Sequence, residues 1–402
     1  MRPLHLAFLA LMISASNALD AHAQLSQARS MEKVTIAAPK PDAWTHSRLT
    51  AGQAWLLEKS YAAASAFPLN PHIKNRSRAQ EAVVIAAIQL EQPEQALRFA
   101  KGIANWRRAS GIADVAQYAA ERSLDIEVSV LIDQALAAIS THDSESDQEW
   151  RKERVLKKLD HTAALLAGSV THDYSKLDGK ELDSLFQELE AAVLASTFED
   201  VQSALHLLSQ VYADVFGDSE RRDAIESAIE SADGKLPLQI HIQVALGLTE
   251  TALRYGDSQH ALGLIRRVNH LMATSNWLLE DQLPLLSKIA SLRFEAGEKQ
   301  VARNEIKAAR LTYQAEQERI VDINRADVLR AIAEALVKMG ELEEASQVYA
   351  AALEQGVVNP NSRPRADDTI ATSLSMALHG YRPSEALLQR IEEIFNTLGH
   401  PW

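Results

Sequence analysis

Cysteine is absent from the 402-residue chain. No disulfide can staple the fold, so the hydrophobic core must suffice alone. A thiolate nucleophile, a thiolate metal ligand and a lipid-modified cysteine anchor are excluded with it. Glycine (15) and proline (12) are scarce, which rules out collagen-like and Gly/Pro-rich disordered chains. Aromatic residues make up 5%, and no stretch alternates apolar and polar residues long enough to claim a strand, so composition and pattern alike argue against an all-β fold. Basic residues are outnumbered 41 to 54, for a net charge of −13. That balance argues against nucleic acid and against a polybasic membrane-surface protein. Signatures with a known chemistry are missing as well: no His-Glu-x-x-His, no calcium loop, no phosphate-cradling glycine loop and no Gly-x-Ser-x-Gly. We therefore expect no catalytic residue, no cofactor and no metal.

What is plentiful is alanine, 64 residues or about one in six, the best helix former. Residues 1–23 read as a secretory signal peptide: Arg2, an apolar run from Leu4 to Ile13, then Ala21-His22-Ala23 as a small-x-small cleavage site. The run is too short to span a bilayer, and no second one follows. The expectation is an exported protein, periplasmic or secreted, cleaved after Ala23 and without a membrane anchor. Cysteine-free export suits a bacterial envelope. Residues 24–42, with Pro39 and Pro41, read as a flexible lead-in.

From residue 43 onward helical periodicity dominates. Val201, Leu205, Leu208, Tyr212 and Val215 step by 4, 3, 4 and 3, placing them on one helix face. Leu182, Leu185, Leu189, Ala192 and Val193 form another stripe, preceded by Asp178 and Glu181 in capping-box spacing. Leu342, Ala345, Val348, Tyr349, Ala352 and Leu353 form a third. The fold class is all-α. The polar stretch around residues 141–147 divides the chain into N-terminal helical hairpins over 43–140 and a longer array over 148–402. Gly356 to Pro364 reads as a long turn.

A period near 40 residues runs through the second part. Gly256, Gly297, Gly340 and Gly380 are spaced by 41, 43 and 40 residues. Each is followed by an alanine: Ala261, Ala302, Ala345 and Ala386. Gly217 with Ala224 extends the series upstream, and Glu91-Gln92-Pro93 is a faint member without glycine. A glycine can end a helix in the left-handed conformation, an acid after it can cap the next helix, and a buried alanine lets two helices approach. Self-similarity at such a period is the mark of stacked helical hairpins.

At these residues the chain resembles the tetratricopeptide-repeat (TPR) superfamily. Gly340, Ala345, Tyr349 and Ala352 match its turn and second-helix positions, with Ala333 as the small residue of the first helix. Gly297, Ala302, Ile306 and Ala309 match with Ala290; Gly256, Ala261 and Ile265 match with Thr249, while Val268 replaces the later alanine. The match covers residues 200–395 well and 77–140 faintly. The resemblance implies a right-handed superhelix, or solenoid, of antiparallel hairpins. The period exceeds the family's usual 34 or so, so HEAT-type repeats remain an alternative.

The resemblance also implies a surface lined by the first helix of each pair. Carried across, its positions are Gln243, Glu250 and Arg254; Ser287, Ser291 and Glu295; and Asp327, Arg330, Glu334 and Lys338. A polar surface of mixed charge suits an extended peptide or partner helix. The leading expectation is a scaffold for protein or peptide with no catalysis of its own. The alternatives are a secreted α/α-toroid enzyme acting on polysaccharide and a structural assembly subunit; the oligomeric state is open. Carboxylates for such an enzyme abound, for example Glu316 and Glu318 or Glu392 and Glu393. Three other motifs stand out: the twin Thr-His-Asp tripeptides at 141–143 and 171–173, the Asn105-Trp106-Arg107-Arg108 stretch, and the terminal His400-Pro401-Trp402. Each has a plain packing or turn explanation; in particular, Trp402 is expected to fold back over the last repeat.

Overall fold

A computed structural model describes residues 49–140, 149–168, 174, 178–195, 198–231 and 235–402. The expected signal peptide and lead-in, and both Thr-His-Asp tripeptides, lie outside them. The described residues hold α-helices and no strand. They divide into two compact units: Leu69–Thr171, and Thr50–Pro68 joined to His172–Trp402. This division crosses the one read from the sequence twice. The first helix leaves the N-terminal hairpins for the C-terminal array, and the helix after residue 148 leaves the array for the N-terminal hairpins. Both reassignments rest on long-range packing, which no local pattern encodes.

The first unit comprises α2 (Leu69–Gln89), α3 (Pro93–Lys101), α4 (Arg107–Glu121), α5 (Val128–Ser140) and α6 (Glu149–Leu166). Its core is alanine-rich: Ala87, Ala96, Ala100, Ala109, Ala113 and Ala116 are buried beside Val84, Phe99 and Ile112. Small side chains let the helices close up. A β-carbon added at Gly111 would lie 3.0 Å from that of Ala100.

The second unit begins with α1 (Ala51–Ala66) and resumes with α7 (Gly179–Ala195), α8 (Phe198–Val215) and α9 (Ser219–Ser231). Four hairpins follow: α10 (Leu238–Arg254) with α11 (Ser258–Ala273), α12 (Leu279–Glu295) with α13 (Lys299–Glu316), α14 (Asp322–Met339) with α15 (Leu342–Val358), and α16 (Ser362–Leu378) with α17 (Glu385–Asn396). The first helices pack on one another in sequence, α8 on α10, α10 on α12, α12 on α14 and α14 on α16. The cores straddle hairpins accordingly. One runs from Phe186 and Leu189 of α7 through Tyr212, Ile225 and Ile229 to Leu248 of α10 and Leu264 of α11. The next joins Ile242 of α10 and Ile265 and Val268 of α11 to Ile289 and Leu292 of α12. Each hairpin's apolar stripe is thus completed by its neighbour, the packing logic of a helical repeat.

The repeat signature has the predicted physical basis at three turns. Gly256, Gly297 and Gly340 have φ of +78°, +102° and +78°, and Ala261, Ala302 and Ala345 are fully buried. At Gly340 the helix ends in a paired cap: the Glu341 amide donates to Leu336 (2.9 Å) and the Gly340 amide to Val337 (3.0 Å). Gly380 is also left-handed, at +64°, but α17 starts later after its turn, so Ala386 is exposed and Leu387 takes the buried place. Gly217 is not left-handed. The acid after the glycine caps the next helix only where it is Asp: Asp257 accepts from the His260 amide at 2.9 Å, and Asp218 from Glu220 at 3.1 Å. The longer Glu298 and Glu341 reach instead to Arg293 (2.6 Å) and Arg303 (2.7 Å). The Asp178–Glu181 capping box forms as predicted, with reciprocal bonds of 2.8 and 2.9 Å. Leu342, at the first position of α15, is exposed while the rest of its stripe is buried.

The faint member at Glu91 proves to be the same turn without the glycine. Glu91 has φ +59°, and the Gln92 amide donates to Ala87 at 2.8 Å. A side chain in the left-handed region costs about 1–2 kcal/mol. We expect Glu91→Gly to stabilise the protein by about 0.5 kcal/mol net of the glycine's extra unfolded-state entropy, and Gly340→Ala to destabilise it by about 1–2 kcal/mol. Parallel urea titrations would check both signs.

The turn expected over Gly356–Pro364 is shorter than read. Helix α15 runs to Val358 and α16 starts at Ser362. Gly356 is buried within α15, where an added β-carbon would sit 2.8 Å from that of Asp368. The glycine marks a close helix crossing, not a loop.

Helix α1 packs on α16. Thr50 starts it with a capping box on Gln53. The Gln53 side chain donates to the Ala377 carbonyl at 2.9 Å. Lys59 meets Glu392 of α17 at 2.6 Å and lies 4.3 Å from the Phe395 ring centre. The buried Phe67 ring stands 5.2 Å from that of Trp402. The C-terminal segment does fold back: the Ser362 amide donates to the Pro401 carbonyl at 2.7 Å. In the order of first helices, α1 therefore follows α16.

Candidate functional site

The ten residues carried over from the resemblance lie on α10, α12 and α14, whose mutual packing brings them into one row. The row is knit from helix to helix. Glu250 of α10 pairs with Lys288 of α12. Glu295 of α12 pairs with Lys338 of α14 at 2.8 Å. Glu334 of α14 accepts from Ser375 of α16 at 2.7 Å, and Ser375 also meets the Tyr349 hydroxyl at 2.9 Å. Arg254 and Asp327 are exposed, and Gln243 and Ser291 half-buried. Arg254 makes no ion pair among the described residues.

Two of the ten lie inside the packing. Ser287 is 1% exposed and donates to the Leu283 carbonyl of its own helix at 2.8 Å. Arg330 is buried, bonded to Asp327, and reaches Asp368 of α16 at 3.2 Å and Thr372 at 3.4 Å. Desolvation pushes the Arg330 guanidinium below its ordinary value, against the pull of Asp368. The exposed part of the row is thus Arg254, Glu295, Asp327 and Lys338, with the half-buried Glu250 and with Lys288, which sequence reasoning did not nominate, between them. Its spacing signal was present: Lys288 follows Ser287 on the same helix and sits one turn before Ser291.

A second polar cluster was missed altogether. The fully buried Tyr212 of α8 donates to Glu226 Oε1 of α9 at 2.6 Å. Nε2 of His260, on α11, lies 2.6 Å from the same oxygen and 3.1 Å from the Tyr212 hydroxyl. Burial, then the Glu226 contact, drives the Tyr212 phenol far above its ordinary range. Glu226 and His260 of the trio line an open cleft of about 470 Å³, together with Glu230, Asp257, Arg266 and Arg267. Here Arg267 is tied to Glu230 at 2.8 Å. Only Tyr212 stood out in sequence, as a member of an apolar stripe. The cluster pins three helices of adjacent hairpins together.

The carboxylates named for a polysaccharide-cleaving alternative each have a basic partner. Glu316 and Glu318 bind Arg319 and Arg325, and Glu392 and Glu393 bind Lys59 and Arg390. Among the described residues no group of His, Asp and Glu is arranged to hold a metal, and no helix is long and apolar enough to cross a membrane.

No family model matches the chain, and no curated protein matches it. Among solved structures, a "circular tandem repeat protein with novel repeat topology and enhanced subunit contact surfaces" aligns at 17% identity over 86% of this chain and 95% of that one, with a TM-score of 0.20.

Proposed function

We propose that the chain is an exported, TPR-like scaffold that binds a protein or peptide along the first-helix surface of α10, α12 and α14, without catalysis of its own. In this reading the hairpins form a superhelix, and the signal peptide delivers the chain to the periplasm or medium. The observation that carries it is the continuous polar row from Arg254 through Lys288 to Lys338, with acids and bases interleaved across three helices. Such a row can trade its own ion pairs for those of a docked chain, which gives register and selectivity more than raw affinity.

The test must leave Arg330 in place, because it is part of the packing. Peptides selected from a display library on the purified protein should lose about tenfold or more in affinity on the Arg254→Glu, Lys288→Glu, Lys338→Glu triple variant. Undiminished binding would move the site elsewhere; a library that yields no binder would remove the scaffold reading itself.

A further inference from the structure

Helix α1 owes its place to residues far along the chain. Its buried stripe runs through Leu56, Leu57, Ser60, Ala63 and Ala64 to Phe67. It packs on α16, and Gln53 bonds the Ala377 carbonyl 324 residues on. The link that leaves α1 is drawn out. Phe67, before Pro68, has φ −55° and ψ 131°; Asn70, before Pro71, has φ −117° and ψ 123°. A residue before proline is pushed to extended backbone, so the sequence itself keeps the link open. Pro68 is also the last residue that belongs with the second unit here, and Leu69 the first of the other unit. Helix α1 is therefore an arm on an extended tether.

The arm is also less well matched to its seat than the helices inside the array are to theirs. Ser60, in the middle of the stripe, and Ser373 of α16, one turn before Ala377, are 2% and 1% exposed. Neither hydroxyl has a hydrogen-bond partner among the described residues. Each has given up water and gained no bond in return. The buried hydroxyls of α10 and α12 are satisfied: Thr249 donates to Ala245 and Ser287 to Leu283, both at 2.8 Å. Around them the α10–α12 seam is aliphatic, with Ile242, Leu246, Ile289 and Leu292.

We propose that α1 is an exchangeable arm, and that its second docking place is the seat on α16 and α17 of another copy of this chain. Two copies trade arms and form a closed two-fold dimer. The seat in the second copy is identical, so the same contacts form again: Gln53 to the Ala377 carbonyl, Lys59 to Glu392, and the Phe67 ring to Trp402. Only the course of the tether differs, which makes such exchange a low-cost route to a dimer. The tether gives the arm a high effective concentration at its own seat, so the dimer gains ground as protein concentration rises. The row on α10, α12 and α14 takes no part.

Lys59 and Glu392, 2.6 Å apart, supply a reporter that needs no substitution, because a carbodiimide joins such a pair directly. Equal amounts of unlabelled and heavy-nitrogen-labelled full-length protein are mixed at high concentration in mild urea, returned to buffer, cross-linked and separated by size. In the dimer, about half of the Lys59–Glu392 cross-linked peptides should be hybrid, light on one side and heavy on the other, as random pairing requires. In the monomer both sides should carry the same label. A charge-exchange pair gives an independent reading. Lys59→Glu and Glu392→Lys each set like charges against one another within a molecule. Mixed, each arm meets its opposite charge in the other variant's seat, so the mixture should hold about threefold more dimer than either variant alone. The proposal is overturned if the parent stays monomeric at every concentration, or if its dimer contains no hybrid peptide. It also falls if mixing the two variants yields no more dimer than each gives by itself.

Discussion

Replacing Arg330 by leucine is expected to cost about 3–5 kcal/mol of folding stability, the largest effect of any charged residue in the second unit. The guanidinium is buried between α14 and α16, where it faces Asp368 at 3.2 Å. Leucine fills much of the space but strands the Asp368 carboxylate, itself mostly buried against Gly356. Adding Asp368→Ala should recover most of the loss, because the harm lies in the unpaired charge rather than in the missing bridge. The loss should also depend on pH. Burial already lifts the Asp368 carboxyl above its ordinary value, with Arg330 opposing. Without Arg330 it rises further. Below the unfolded-state value both states carry the proton and no penalty applies; as pH rises through the raised folded value, the folded state must ionise a buried acid. The deficit of Arg330→Leu should therefore be smaller near about pH 5 than near about pH 8. Urea unfolding of parent, single and double variants at both pH values measures this, and a deficit independent of pH would sink the account.

Phe67→Ala should cost a similar amount, about 3–5 kcal/mol, through the lost aromatic burial and the cavity left behind. Phe67 is fully buried at the end of α1 and meets Trp402, the last residue of the chain. The specific ring contact should appear as a coupling of about 0.5–1.5 kcal/mol in a double-mutant cycle with Trp402→Ala. Hydrogen exchange adds a local readout: amides of α1 should lose protection in Phe67→Ala well before those of α10 to α13. Equal loss across the unit would mean that α1 is no separate closing element.

Local chemistry was legible in the sequence and long-range partnership was not. The turn glycines, the buried alanines after three of them and the Asp178–Glu181 box follow from short-range rules, and the structure has them. Glu91 escaped because nothing in a glutamate signals positive φ; only its place in the period pointed there. Gly356 was read as a loop because glycine usually is one, whereas here it answers to Asp368 across a helix crossing. The positions on α10, α12 and α14 came from the family resemblance, which could not tell Arg330 and Ser287, which are inside, from Arg254 and Lys338, which are outside. Tyr212, Glu226 and His260 come from three helices, and each alone looks ordinary.

The placement of α1 has a consequence for how the protein comes into being. A chain is made from its N-terminus at about 5–20 residues per second. Helix α1 is made well before the helices that cover it, α16 and α17. For tens of seconds at that rate its leucines and alanines have no partner, while the residues 69–171 between can complete their own contacts. The second unit cannot close until α16 and α17 have been made. Closure then waits on synthesis: a chain cut short anywhere before α16 leaves α1 uncovered.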